Sequence, residues 1–248
     1  MNELMTLTRK DLQLLVLDKT SLIVTFALPI ALIALIGSVF GSSFINVGIS
    51  SYDYAFSKVM FWGLLGGVAS SVASIAIEKN SGTIVRLQLS PISKFQMLLG
   101  KALACITTMM VSSVLSWLFA TLLFDVKTNS YWHLSLVLIS NSVFFAGLMT
   151  FLANFVKTER AAGALSWTVA QLLACFSGIM FPVVVMPPWM VSAINFNPLM
   201  WAVKAMEIAL WKDVPFNEIL LPLAIPMVAG IVLFSVSVFI FRWSYKQD

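Results

Sequence analysis

The sequence predicts an all-α membrane protein built as a single transmembrane domain over residues 1–248. Three observations lead there. The chain is 60% hydrophobic and only 10% charged, too little charge to clothe a soluble domain of this length in water. Apolar runs of about 20 residues, enough to cross a hydrocarbon core of about 30 Å as helix, recur along its whole length. Period-two alternation is absent, which argues against strands.

Residues 1–19 are too polar to span. Asn2, Thr6, Arg9, Lys10 and Gln13 share one arc of a helical wheel and leucines fill the rest, the pattern of a helix lying in the membrane interface; a cytosolic tail is the alternative. No small-residue cleavage pattern follows, so a cleaved signal peptide is not expected. Six spans are expected at 20–41, 56–77, 102–124, 134–156, 162–182 and 219–241.

Between the second and third spans, residues 78–101 gather polar side chains into one amphipathic loop. Gly82 can end the preceding helix or turn the chain sharply. Thr83 can cap a short helix with its hydroxyl. Ile84, Leu87 and Leu89 give that helix an apolar face, Pro91 stops it, and Arg86 and Lys94 put charge on its outer side. On these residues alone, a solvated or lipid-anchored loop without a partner remains open.

Residues 182–218 stay apolar and rich in Trp, but Pro187, Pro188 and Pro198 block a continuous helix. Short helices dipping into the outer leaflet fit, with Trp189, Trp201 and Trp211 at headgroup level. An ordinary seventh span is the alternative, and it would spoil the charge distribution. With both termini in the cytoplasm, the inside segments hold Arg9, Lys10, Lys19, Lys79, Arg86, Lys94, Lys101, Lys157, Arg160, Arg242 and Lys246. The outside segments hold only Lys58, Lys127, Lys204 and Lys212. Eleven against four of the 15 basic residues is a positive-inside bias that requires an even number of spans.

The span interiors contain essentially no ionisable side chain, so a proton- or ion-coupled pump lacks its carriers. His133, the single histidine, sits at an outer boundary. Cys105 and Cys175 show neither metal-ligand spacing nor a disulfide framework. No catalytic constellation can be assembled in the membrane, and Gly100-Lys101-Ala102 is not a phosphate-binding loop. No metal, cofactor or nucleic acid is expected on this chain. Any uphill movement must draw its energy from a partner.

The stretch Glu78-x-x-x-Gly82-Thr83-x-x-Arg86-Leu87-x-x-Ser90-Pro91-x-Ser93, followed by Leu99-Gly100-Lys101, resembles the cytosolic loop of permease subunits in the ABC transporter type-2 family. These exporters share the fold of the sterol and multidrug half-transporters of the G subfamily. Ser177-Gly178-x-x-Phe181-Pro182, Met186-Pro187-x-Trp189 and Asn197-Pro198 are similar to the family's late outer segment. The resemblance covers nearly the whole chain.

It implies a multi-pass subunit of the cytoplasmic (inner) membrane with both termini inside. It also implies two copies of a separate ATPase carrying ATP and Mg, a second permease identical or homologous to this one, and surrounding lipid. Glu78, Gly82, Thr83, Arg86, Leu87, Ser90 and Pro91 would couple to the ATPase through a cytosolic coupling helix. The second and fifth spans would line the pathway with Ser70, Ser71, Ser74, Ser166, Gln171 and Ser177. Phe181, Pro182, Met186 and Pro187 would form an outer gate in the re-entrant segment. The uncharged, mildly polar wall suits export of an amphipathic or hydrophobic cargo (drug, lipid or peptide), as in multidrug efflux. The alternatives are a stand-alone channel or secondary transporter, a non-transporting sensor or assembly factor, and, within the family, a glycan or lipid-linked polysaccharide exporter. The pairs Gly37/Gly41 and Gly63/Gly67 allow close helix approach, within one chain or between two permeases.

Overall fold

The amphipathic first segment and the apolar runs after it form the first helices. The computed structural model describes residues 2–17, 19, 23, 27–40, 51–84, 89, 92–180, 183, 186–212 and 214–241, with no strand among them. Helix α1 (Asn2–Leu17) is the amphipathic segment, and α2 (Leu28–Phe40) carries Pro29 in its first turn, where a missing N–H costs nothing. Helix α3 (Ser51–Asn80) has Asp53 in its first turn and Lys79 in its last, both signs matched to the helix dipole. It ends at Gly82, whose φ of 71° is the left-handed turn that glycine adopts without a steric penalty.

Helix α4 (Lys94–Phe124) opens on a capping box. The Ser93 hydroxyl accepts from Gln96 N, and the Gln96 side chain accepts from Ser93 N. The third expected span therefore begins eight residues before the expected 102. Asp125, at φ 52°, closes its far end. Helix α5 (Tyr131–Leu152) and helix α6 (Glu159–Cys175) are capped by Ser130 and Thr158. Helices α7 (Pro188–Ile194) and α8 (Pro198–Leu210) each start with proline at the first position, so the outer segment breaks into short helices where its prolines stand. Helix α9 (Phe216–Ile240) contains Pro222 and Pro226. Beside those prolines, the Ser140 hydroxyl donates to the Leu223 carbonyl at 2.7 Å.

Four described helices are long and apolar enough to cross a membrane: α3, α4, α5 and α9. Helix α2, at 13 residues, and helix α6, at 17, are short of the roughly 20 that a span needs. The fifth expected span, 162–182, stops at Cys175 and turns at Gly178 (φ 79°). The first, 20–41, is described as α2 only from Leu28.

Helix α5 is the hub, packing against α9, α4, α8 and α3. Phe61 and Phe145 meet in its core at 6.4 Å between ring centroids. The α5–α9 crossing is backbone against backbone: a Cβ on Gly147 would lie 2.0 Å from the Gly230 carbonyl oxygen. Gly37 and Gly63 pack within the chain, under the Tyr52 ring and Pro29 respectively. Gly41 lies outside the described residues. Helix α9 is the most apolar of the four membrane-length helices, yet Leu220, Leu221, Val228, Ile231, Val232 and Phe239 point outward, as side chains facing lipid do.

The hydrogen bonds sort the helix termini into two ends. At one, Lys127 N donates to Asp53 Oδ1, Asn129 N donates to the Leu210 carbonyl, and His133 stacks on Phe216. At the other, the end of α3 meets α1, the start of α4 and the end of α5.

Candidate functional site

The polar loop after α3 is held at its root by an ion-pair knot. Glu78 Oε2 lies 2.6 Å from Lys101 Nζ, and Glu78 Oε1 accepts from Lys10 Nζ. Asp11 Oδ2 lies 3.3 Å from Lys101 Nζ, and Asp11 Oδ1 lies 3.6 Å from Lys10 Nζ. Two cations and two carboxylates cancel, as the burial of Glu78 and Lys101 requires. Burial works against the Lys10 charge, but the Glu78 and Asp11 carboxylates outweigh it and hold the ammonium above its usual value.

Glycine makes this contact geometrically accessible. Helix α1 rides over Gly100, where an added Cβ would lie 3.1 Å from Leu7 Cβ. From the next residue of α1, the Thr8 hydroxyl donates to the Gly100 carbonyl at 3.2 Å. The knot thus ties α1, α3 and α4 together where the loop begins and ends.

Two lysines extend this frame. Lys79 Nζ donates to the Ala153 carbonyl and, at 3.2 Å, to the Val156 carbonyl, just past the C-terminus of α5. Lys94 Nζ donates at 3.1 Å to the Phe241 carbonyl at the end of α9. A lysine at terminal carbonyls satisfies acceptors left over by the helix and matches its dipole. The residues bracketing the loop are thereby connected to α1, α4, α5 and α9.

Within the loop, Gly82 has the left-handed conformation and Thr83 sits 2.9 Å from the Ser81 hydroxyl. Thr83 and Ile84 are helical, and Ile84 is buried, whereas Leu89 is exposed. Arg86, Leu87, Ser90 and Pro91 lie outside the described residues, as do Phe181 and Pro182 of the expected outer gate. Met186 is buried and its N–H donates to the Val183 carbonyl at 3.2 Å. Pro187 is exposed and caps α7.

The expected pathway serines part company. Ser70, Ser71 and Ser74 face a half-open cavity of about 340 Å³ beside the knot. Ser166 is buried with its hydroxyl unpaired among the described residues. Gln171 is exposed. Ser177 is buried and donates to the Ala174 carbonyl at 2.9 Å. The second and fifth spans do touch, as α3 against α6.

At the opposite end, Glu207 of α8 pairs with Lys58 of α3, and with Lys212 at 2.8 Å. Burial would raise the Glu207 carboxyl, but the two lysines prevail and hold it below the usual carboxylate range. Asn197 binds α8 to the end of α6 by donating to the Leu173 and Phe176 carbonyls at 2.8 and 2.7 Å. Helix α8 is thus anchored to both α3 and α6.

The sequence places Lys10, Lys79 and Lys101 on the inside without naming partners for them, and it expects Lys94 on the outer side of the loop, where the structure instead has it donating to the Phe241 carbonyl. The available signal was the rarity of carboxylates: Asp11 and Glu78 both stood beside apolar runs, among basic residues that needed neutralising. No group of three or more His, Cys, Asp or Glu side chains among the described residues is arranged to hold a metal.

A family model described as ABC-2 type transporter matches residues 2–211. No curated protein matches the chain.

Proposed function

This chain belongs to the ABC-2 type transporter family, as a membrane component of a transporter, and we propose that it is the permease of an ATP-driven exporter. The carrying observation is the knot of Lys10, Asp11, Glu78 and Lys101 at the root of the polar loop. A loop that only linked two helices would not need both flanks bound to a third element and to the ends of α5 and α9. A separate ATPase, present in two copies and holding ATP and Mg, presses on residues 78–94. The knot passes that displacement to α1 and α4, and Lys79 and Lys94 pass it to α5 and α9. Two permeases, identical or homologous, enclose a pathway to which α3 and α6 contribute. Helices α2 and α6 supply the remaining two of six spans. Both termini and the loop face the cytoplasm of an inner membrane, as the basic residues at the Glu78 end support. The short helices α7 and α8, with Phe181, Pro182, Met186 and Pro187, act as an outer gate, and the cargo is amphipathic or hydrophobic.

The test is co-purification of an ATPase subunit in mild detergent, with cargo-stimulated hydrolysis as the second readout. Leu87→Asp puts a charge on the helix face meant for docking and costs about 2–4 kcal/mol of association if Leu87 is an anchor. Gly82→Val forces a β-branched residue into the left-handed region, at about 1–2 kcal/mol. Both variants should reach the membrane and lose coupling. Full association and full transport in both would reduce the loop to a connector.

A further inference from the structure

The cavity beside the knot has a composition that selects its ligand. Its wall combines Ser70, Ser74, Cys105 and Met149 with the carboxylates of Asp11 and Glu159. Four formal charges line it: Asp11, Glu78 and Glu159 are negative and Lys101 is positive. Lys10, which does not line the cavity, completes the neutral knot from outside. Glu159 is then a carboxylate in excess, with no ion-pair partner among the described residues, and its chain neighbours Lys157 and Arg160 do not line the cavity. It stands in the first turn of α6. A second observation points the same way. Asp11 Oδ1 is buried and borders the cavity, and although it lies 3.6 Å from Lys10 Nζ in the knot, it accepts no hydrogen bond within normal distance from the described residues. A buried acceptor of this kind is expected to find a donor.

We propose that this cavity binds a cationic amphiphile. Its ammonium lies between Glu159 and Asp11, and its apolar body lies along Ile75, Ala104 and Met149. The hydroxyls of Ser70, Ser74 and Thr108 accept any further N–H of the ligand. An apolar pocket with a few convergent polar groups is the usual form of a small-molecule site, and here the sign of the surplus charge decides which amphiphile enters. The proposal rests on the transporter reading and narrows its cargo to a hydrophobic amine.

The experiment uses the full chain, purified in a nonionic detergent without any ATPase. The probes are a matched fluorescent pair: dansylcadaverine, a cation, and 6-(dansylamino)hexanoate, its anionic counterpart. The cation should bind about tenfold more tightly than the anion. Glu159→Gln should weaken the cation about threefold to fivefold, as befits an exposed charge, and should not weaken the anion, which the lost carboxylate had repelled. Ser74→Phe, which fills the cavity, should abolish both blue-shifted signals. Should Ser74→Phe fail to fold, the Glu159→Gln comparison decides alone, because that side chain is exposed. Equal affinity for the two probes, or unchanged cation binding in Glu159→Gln, overturns the proposal. Absence of a co-purifying ATPase would instead overturn the transporter reading while leaving probe binding intact, so the two failures are distinguishable.

Discussion

Glu78→Gln should loosen α1 from the membrane helices at the loop end. The four side chains of the knot sum to zero charge, and the substitution leaves one positive charge unmatched. Lys101 bears most of it, because its side chain is 6% exposed and keeps only Asp11, at 3.3 Å, as a carboxylate partner. Lys10 can swing toward water, since its side chain is 38% exposed. Removing one member of a buried pair costs about 3–5 kcal/mol. The remaining carboxylate and the retained amide hydrogen bonding place Glu78→Gln near the lower bound, at about 3 kcal/mol. Lys101→Met alone should cost a similar amount, because it strands Glu78 with Lys10.

The double variant restores neutrality, so its loss should be smaller than the sum of the two single losses by at least about 1 kcal/mol. Thermal unfolding of the purified chain in detergent reads all three, and protease protection of α1 reports its release. Purely additive losses, or a Glu78→Gln protein as stable as the parent, would refute the view that the knot is a coupled unit.

Two further outcomes follow from other contacts. Gly147→Ala and Gly230→Ala should each destabilise by about 1–3 kcal/mol, because the added Cβ meets backbone atoms at 2.0 and 2.5 Å that no rotamer change can move. Gly163→Ala, with nothing within 4 Å of its Cβ, should be neutral or stabilising in the same melting assay. Equal effects at all three would remove the case for the tight α5–α9 crossing. The pair at the far end has a pH signature: Glu207 is held below its usual range, so its contribution is present above the ordinary carboxylate value and disappears as pH falls below about 4. The stability difference between the parent and Glu207→Gln should therefore be constant near neutrality and shrink on acidification. A difference that grows toward acid would reverse the assigned sign.

What was readable from the sequence was local, and what was not depends on distance along the chain. Gly82, Pro187 and Pro198 act on their own backbone, so the turn after α3 and the starts of α7 and α8 stood where their chemistry put them. The capping box Ser93-x-x-Gln96 is just as local, but it stands outside the apolar run, so run length alone starts the third span at 102 rather than at Lys94. Run length also overestimated the fifth span, since the apolar character continues past Cys175 after the helix has turned at Gly178. The knot was beyond such reasoning: Lys10 and Glu78 are 68 residues apart, and many other basic residues at that end could have met Glu78 on charge alone. What selects Lys10 and Lys101 is Gly100, which lets α1 approach α4 closely enough for side chains from three helices to converge. The same holds for Gly147 and Gly230, which no small-residue spacing within one helix distinguishes from Gly37 or Gly63. Charge sign and helix ends are one-dimensional properties, whereas partner choice follows from where two backbones touch. That is why the loop could be singled out from its residues while the frame that holds it could not.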